Sequence, residues 1–168
     1  MTRRAVLFGT LLFAALITGG QYVVWWDYDP TGAAPAFFVE KMQHAIRVIG
    51  TPLFAMQCAA AVLTIASAWL ARQDRGALRL LLAVCACYVV AVLLTIFGAI
   101  PILDQIATWN VHAPPLDWQE VTLKWWWIHS CRFVLQLTGL CLLIGVALRG
   151  FDHGRAATPP RGATAGMQ

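Results

Sequence analysis

Four long apolar runs, Ala5 to Trp26, Pro52 to Ala71, Ala77 to Leu103 and Trp125 to Leu148, leave this chain few choices of fold. Each reaches the roughly 20 residues that cross about 30 Å of hydrocarbon as a helix. Charged residues make up only 12% of the chain, against about 25% in soluble domains, so the runs are not cores of a water-soluble protein. An all-α fold is expected, a four-helix transmembrane bundle over residues 1–149 with spans near 5–26, 37–71, 77–103 and 121–148. The first run is longer than the roughly 7 to 15 residues of a signal-peptide core and ends at Trp25-Trp26 without a small-residue cleavage site, so it reads as a retained span. The tail 150–168, made of Gly, Ala, Thr, Pro and Arg, is expected to be disordered in the cytoplasm.

The net charge of +4 gains meaning once it is laid on that topology. Arg3, Arg4, Arg72, Arg75, Arg79, Arg149, Arg155 and Arg161 flank one set of helix ends, and only Lys41, Arg47, Lys124 and Arg132 belong to the other. The positive-inside rule then places both termini in the cytoplasm and the loops 27–35 and 104–121 outside. The location implied is the cell membrane, in a bacterium the inner one. A cysteine introduced at Thr31 should react with a membrane-impermeant reagent added from outside, and one at Thr164 should not; the reverse pattern would overturn the orientation. Nucleic acid is not needed to explain the charge. The five cysteines lie inside apolar runs, and Cys85 and Cys87 are about 200° apart on a helix, so they read as packing residues with no metal site among them.

Polar residues inside such runs are the candidates for function. In the fourth run Trp125, His129, Arg132 and Gln136 fall within an arc of about 60° on one helix face. Glu40, His44, Arg47 and Thr51 repeat the same His-x-x-Arg spacing near the start of a long second helix, expected over about 37–71 and projecting on the outer side, where the stripe reads equally as a second site or as a solvated face. Pro52 predicts a kink just below that stripe, and Pro101 should end or bend helix 3. Helix 1 turns polar only at Thr18, Gln21 and Tyr22, beside a Gly19-Gly20 pair that favours close approach of another helix or a ligand. Asp104 and Gln105 enter the outer layer from helix 3. All these groups sit in the outer half, and the inner half reads as apolar scaffold. Catalytic candidates are therefore His129 and Arg132, and binding candidates are Trp125, Gln136, His44, Arg47, Asp104 and Gln21. His44 lies about 12 Å higher than His129 on straight helices, so the two histidines need not meet. Seven of the eight tryptophans fall on the outer side, as an interfacial belt or in part as the wall of a pocket for a flat aromatic ligand.

Several blocks carry a family resemblance: Phe38 to Phe54 with Glu40, Met42, His44, Arg47 and Pro52; Ile100-Pro101 through Asp104-Gln105 to Trp109-Asn110; Asp117-Trp118; and Trp125-x-x-x-His129-x-x-Arg132. Together they resemble the anthrone oxygenase-like family, over all four helices, and the last block is the most specific. The resemblance implies a small four-helix membrane protein, and members that oxygenate anthrones to anthraquinones without metal or flavin. By motif position Trp125, His129 and Arg132 match the family's Trp-x-x-x-His/Asn-x-x-Arg signature. Asp104 departs from it, since Asn is common after the Pro-x-x step.

Three functions are compatible with these residues. In an oxygenase that uses no cofactor, His129 removes an acidic carbon-bound proton from an anthrone-type phenol and Arg132 holds the enolate. In a redox protein, His129 with His44 or His112 ligates haem or copper, and Arg47 or Arg132 pairs with haem propionates. In a non-catalytic scaffold or partner protein, the His-x-x-Arg stripe stitches helices together. The partners expected are the lipid bilayer, a small aromatic substrate and dioxygen, with self-association into a homo-oligomer also open.

Overall fold

The computed structural model describes residues 2–156, with side chains from 4 to 149. It is built of helices alone among the described residues: α1 (Thr2–Asp27), α2 (Pro35–Ala45), π1 (Ile46–Gly50), α3 (Thr51–Leu70), α4 (Arg75–Leu94), π2 (Thr95–Ala99), α5 (Ile100–Ala107) and α6 (Trp118–Ala156). The segments α2, π1 and α3 form one continuous rod, as do α4, π2 and α5. Four rods result, Arg4–Asp27, Pro35–Leu70, Arg75–Ala107 and Trp118–Arg149, each long and apolar enough to cross a membrane. The chain is a multi-pass membrane protein. α6 continues to Ala156, past Gly150 where the tail was expected to begin, and the rest of that tail, 157–168, lies outside the described residues.

α1 packs on α3 and α6, and α4 packs on the same two helices, which closes a four-membered ring. Each rod reverses direction through a short connection, the arrangement that short loops impose on a bundle. Asp74 caps α4 by accepting from the N–H groups of Gly76 and Ala77, both at 3.1 Å, and so fixes where the third rod starts. After α1 the chain turns through Asp29-Pro30, where Thr31 N–H donates to Asp29 Oδ1 at 2.9 Å and Gly32 takes a positive φ of 73°. Pro35 then opens α2, where its missing N–H costs nothing.

The two π turns have a common cause. Pro52 and Pro101 are each the second residue of the α-helix that follows a π turn. A proline there donates no hydrogen bond and its ring crowds the carbonyl one turn earlier, at Val48 and Phe97 respectively. Widening the preceding turn by one residue relieves the crowding without breaking the rod. The irregularity expected near Pro52 is thus a π turn, and Pro101 does not end helix 3, which runs on to Ala107.

In the half nearest the termini the core is made of Ala14, Ile17, Ala60, Ala68, Leu81, Val84, Tyr88 and Leu143. Many of these are small, which lets helices approach closely where lipid gives no hydrophobic drive to do so. A Cβ at Gly139 would stand 2.8 Å from the Tyr88 ring, and one at Gly20 would stand 2.8 Å from Leu53 Cδ2. Gly19 has nothing within 4 Å, so only one of the Gly19-Gly20 pair is a packing glycine. This half is not purely apolar, contrary to expectation. Thr10 and Ser67 share a buried hydroxyl hydrogen bond of 2.9 Å, and Thr10 also donates to the Leu63 carbonyl at 3.2 Å. Thr10 and the nearby Thr64 look unremarkable in an apolar run because each hydroxyl also donates to a carbonyl one turn earlier in its own helix, Val6 and Ala60.

Candidate functional site

The polar stripe of the fourth rod faces inward. Trp125, His129, Arg132 and Gln136 are all buried, and α6 carries them without interruption. His129 and Trp125, one turn apart, stack with ring centroids 5.2 Å apart. His129 Nε2 lies 3.0 Å from the main-chain carbonyl oxygen of Gln21 on α1. A carbonyl oxygen only accepts, so Nε2 carries the hydrogen and Nδ1 is the nitrogen free to take a proton.

α1 and α6 are fixed to each other around that contact. Trp25 Nε1 donates to Ser130 Oγ at 3.0 Å, and Trp126 Nε1 donates to the Trp25 carbonyl at 3.3 Å. The Trp25 ring stacks on Trp126 and Phe133 at 6.1 and 5.8 Å. These pairs hold the Gln21 carbonyl in register with His129, and they account for part of the tryptophan belt as structure.

Arg132 reaches across the bundle. Its Nη2 donates to Gln57 Oε1 on α3 at 3.1 Å, and Gln57 Nε2 donates to Thr95 Oγ1 on π2 at 3.1 Å. Thr95 Oγ1 lies 2.8 Å from its own helix's Ala91 carbonyl. The guanidinium is therefore oriented by an amide. Among the described residues no carboxylate lies within ion-pair distance of it. Its Nε is buried without a hydrogen-bond partner, as are Trp125 Nε1 and Gln21 Oε1.

These residues line one cavity of about 270 Å³, near the lower end of the roughly 300–1,000 Å³ of small-molecule sites. Its buried wall is Gln21, Val24, Trp125, His129 and Arg132, from α1 and α6. The opposite wall comes from both π turns and their flanks, among them Ile46, Ile49, Gly50, Thr95, Ile100, Leu103 and Asp104. The turns widen the two rods at the level where the space opens, a frequent association of π turns with functional sites. Tyr28, past the end of α1, also lines it. Burial, and the Asp27 carboxylate next to it, raise the Tyr28 phenol above its ordinary range, so it stays neutral.

The structure brings Gln21, Trp125, His129, Arg132 and Asp104 to this cavity and leaves out the other expected site residues. His44 and Arg47 are exposed and do not line it; Gln136 is fully buried beneath, with neither amide atom bonded. His112 is exposed in the second loop. Of the histidines considered for a haem or copper site, His129, His44 and His112, only His129 lines the cavity. Among the described residues no three His, Cys, Asp or Glu side chains gather into a metal-binding set. Of the tryptophans only Trp125 lines the cavity.

Thr95 lines the cavity, and Gln57, which does not, bonds both Thr95 and Arg132; neither was among the expected site residues. Gln57 is a single amide between Met56 and Cys58 in the second apolar run, a signal open to reading, since an intramembrane amide needs a partner.

The anthrone oxygenase family model matches residues 42–142, from the second rod to the fourth. The chain belongs to the anthrone oxygenase family. The matched stretch contains both π turns, Gln57, Asp104 and the Trp125-His129-Arg132 stripe, so most of the cavity lies in the part of the chain that defines the family. α1, which supplies Gln21 and Val24, precedes it, so the match is narrower than the four-helix resemblance. No curated protein and no solved structure matches the chain.

Proposed function

We propose that this anthrone oxygenase family protein oxygenates a flat phenolic or anthrone-type compound with dioxygen inside the cavity, on the outer side of the membrane. The observation that carries the proposal is the buried Arg132 guanidinium, oriented by Gln57 with no carboxylate in ion-pair distance among the described residues, beside a histidine whose Nδ1 is free. A cation without a counter-charge in a mostly apolar cavity suits a ligand that brings or develops negative charge.

An anthrone has a methylene flanked by two aromatic rings and opposite a ketone. His129 Nδ1 takes one methylene proton, and the electron pair moves to the ketone oxygen, giving an enolate that Arg132 holds. The enolate passes one electron to dioxygen, and the radical pair joins as a carbon-bound peroxide. Protonation by the histidine gives a hydroperoxide, which loses water to leave the second carbonyl. One dioxygen is consumed, one oxygen atom ends in the quinone and the other in water. The substrate supplies all the electrons, so no step is routed through a metal or flavin. Dioxygen partitions into membranes and reaches the site from lipid.

The test is oxygen uptake by detergent-purified, chelator-treated protein with a simple anthrone. Uptake should match anthraquinone formation one to one, persist after chelation, and rise with pH before levelling as the base becomes fully deprotonated. Activity that chelation removes and iron or copper restores would sink the proposal.

A further inference from the structure

The cavity has one exposed side. Every lining residue supplied by α1 and α6 is buried, whereas those from π1, α3 and α5 are mostly half-buried or exposed, with Thr51 and Asp104 the exposed members. The rim therefore lies between the second and third rods. Gly50 belongs to that rim, and a Cβ there would meet nothing within 4 Å.

Toward water, above the cavity, the same rods are closed. Gln43 Nε2 on α2 donates to the Ile106 and Trp109 carbonyls, at the end of α5, at 3.0 and 2.9 Å. Phe38 packs on Trp118 with ring centroids 5.7 Å apart. Lys41 ties α2 to the end of α1, at 2.8 Å from Asp27 Oδ1 and 4.6 Å over the Tyr28 ring.

Height decides what the opening faces. At about 1.5 Å per residue, Thr51 stands roughly 28 Å above Leu70 at the other end of its rod, close to the far edge of a roughly 30 Å hydrocarbon layer. Asp104 stands roughly 43 Å above Arg75, among headgroups. The opening thus runs from acyl chains up into the polar interface, where flat molecules with an apolar body and a polar edge collect.

We infer that the cavity is loaded sideways from the membrane, through a mouth between π1 and α5, by a flat amphiphilic phenol dissolved in the leaflet facing the loops. The aromatic rings pass Gly50 and Thr51, which leave room for them, and Asp104 borders the polar edge. Gly50 then sets how wide a ring system is admitted. The inference rests on the proposed function for the class of ligand, and its test does not require turnover.

The full chain is placed in lipid nanodiscs, and association of a hydroxyanthraquinone, which is flat and does not react, is followed by its fluorescence. Gly50→Trp should slow association at least tenfold, and Gln43→Ala, which loosens the roof, should leave it unchanged. Thr51→Trp serves if Gly50→Trp does not insert. In a variant lacking the native cysteines, Thr51→Cys should react with a membrane-partitioning maleimide and be spared by a charged, water-soluble thiosulfonate. Association that is unaffected by both tryptophans, or is accelerated by Gln43→Ala, would place the route through the roof and overturn the inference. So would labelling of Thr51→Cys by the charged reagent alone. Slowed association in Gly50→Trp, with no oxygen uptake by any form, would uphold the mouth and reject the oxygenase. Oxygen uptake unchanged in both tryptophan variants would do the opposite. A wild-type protein that binds no flat aromatic at all would reject both.

Discussion

His129→Ala should lower oxygen uptake with an anthrone by about 10²–10⁴-fold, the range a positioned general base contributes. Arg132 and the apolar walls remain, so the substrate should still bind and KM should change less than kcat. The side chain's structural part is one contact between α6 and α1, from Nε2–H to the Gln21 carbonyl. Interhelical polar contacts of this kind contribute on average about 0.6 kcal/mol, so the melting temperature should move little. His129→Gln separates the two roles further, because an amide N–H can donate to the same carbonyl and cannot act as a base at neutral pH. Equal activity in wild type and His129→Ala would remove this residue from the mechanism; unfolding of both variants would make it a packing device.

For Arg132 the expected result has two parts that point in opposite directions. Arg132→Met should cost about 10²–10³-fold in kcat, as the loss of a preorganised donor to a developing oxyanion does. The same variant should be at least as stable as wild type, because a buried charge without a carboxylate partner is expensive to keep. Gln57 would lose Nη2 but retain Thr95. Arg132→Lys should fall between, since a point charge on a flexible stem cannot bond Gln57 and an enolate in one plane as a guanidinium does. Measured kcat and melting temperature for the three forms decide the matter. A fall in stability that tracks the fall in rate would mean that the guanidinium serves to join α6 to α3.

Much of this was legible from spacing, and the exceptions have physical reasons. Trp125, His129, Arg132 and Gln136 share a face because α6 is an uninterrupted α-helix, where the 3.6-residue period holds. The same arithmetic put Glu40, His44, Arg47 and Thr51 on one stripe, and there it failed. The extra residue of π1 turns the helix by about 100° between His44 and Thr51, so that Thr51 reaches the cavity rim while His44 and Arg47 stay outside. Proline marked where the backbone would yield but not whether it would kink, stop or widen. Gln21 was legible because it interrupts an otherwise apolar helix end. Gln57 offered a signal as a lone amide in an apolar run, but its partners did not: that it meets Thr95 and Arg132 across three helices is encoded by no periodicity within one helix.

The base and the cation candidate sit on one straight helix, whereas the opening and most of its rim belong to two rods that each contain a widened turn. The spacing of His129 and Arg132 is then a constant of the α-helix, indifferent to how the remainder of the bundle is dressed. Residues at positions 46–54 and 96–104, which leave out the Thr95 that bonds Gln57, can vary in bulk without disturbing it. If His129 and Arg132 act as proposed, diversification of such a protein, natural or in the laboratory, has a protected pair and a separate region free to drift. Exchanging those two segments between family members should transfer preference for ligand shape and leave the pH profile of the reaction where it was.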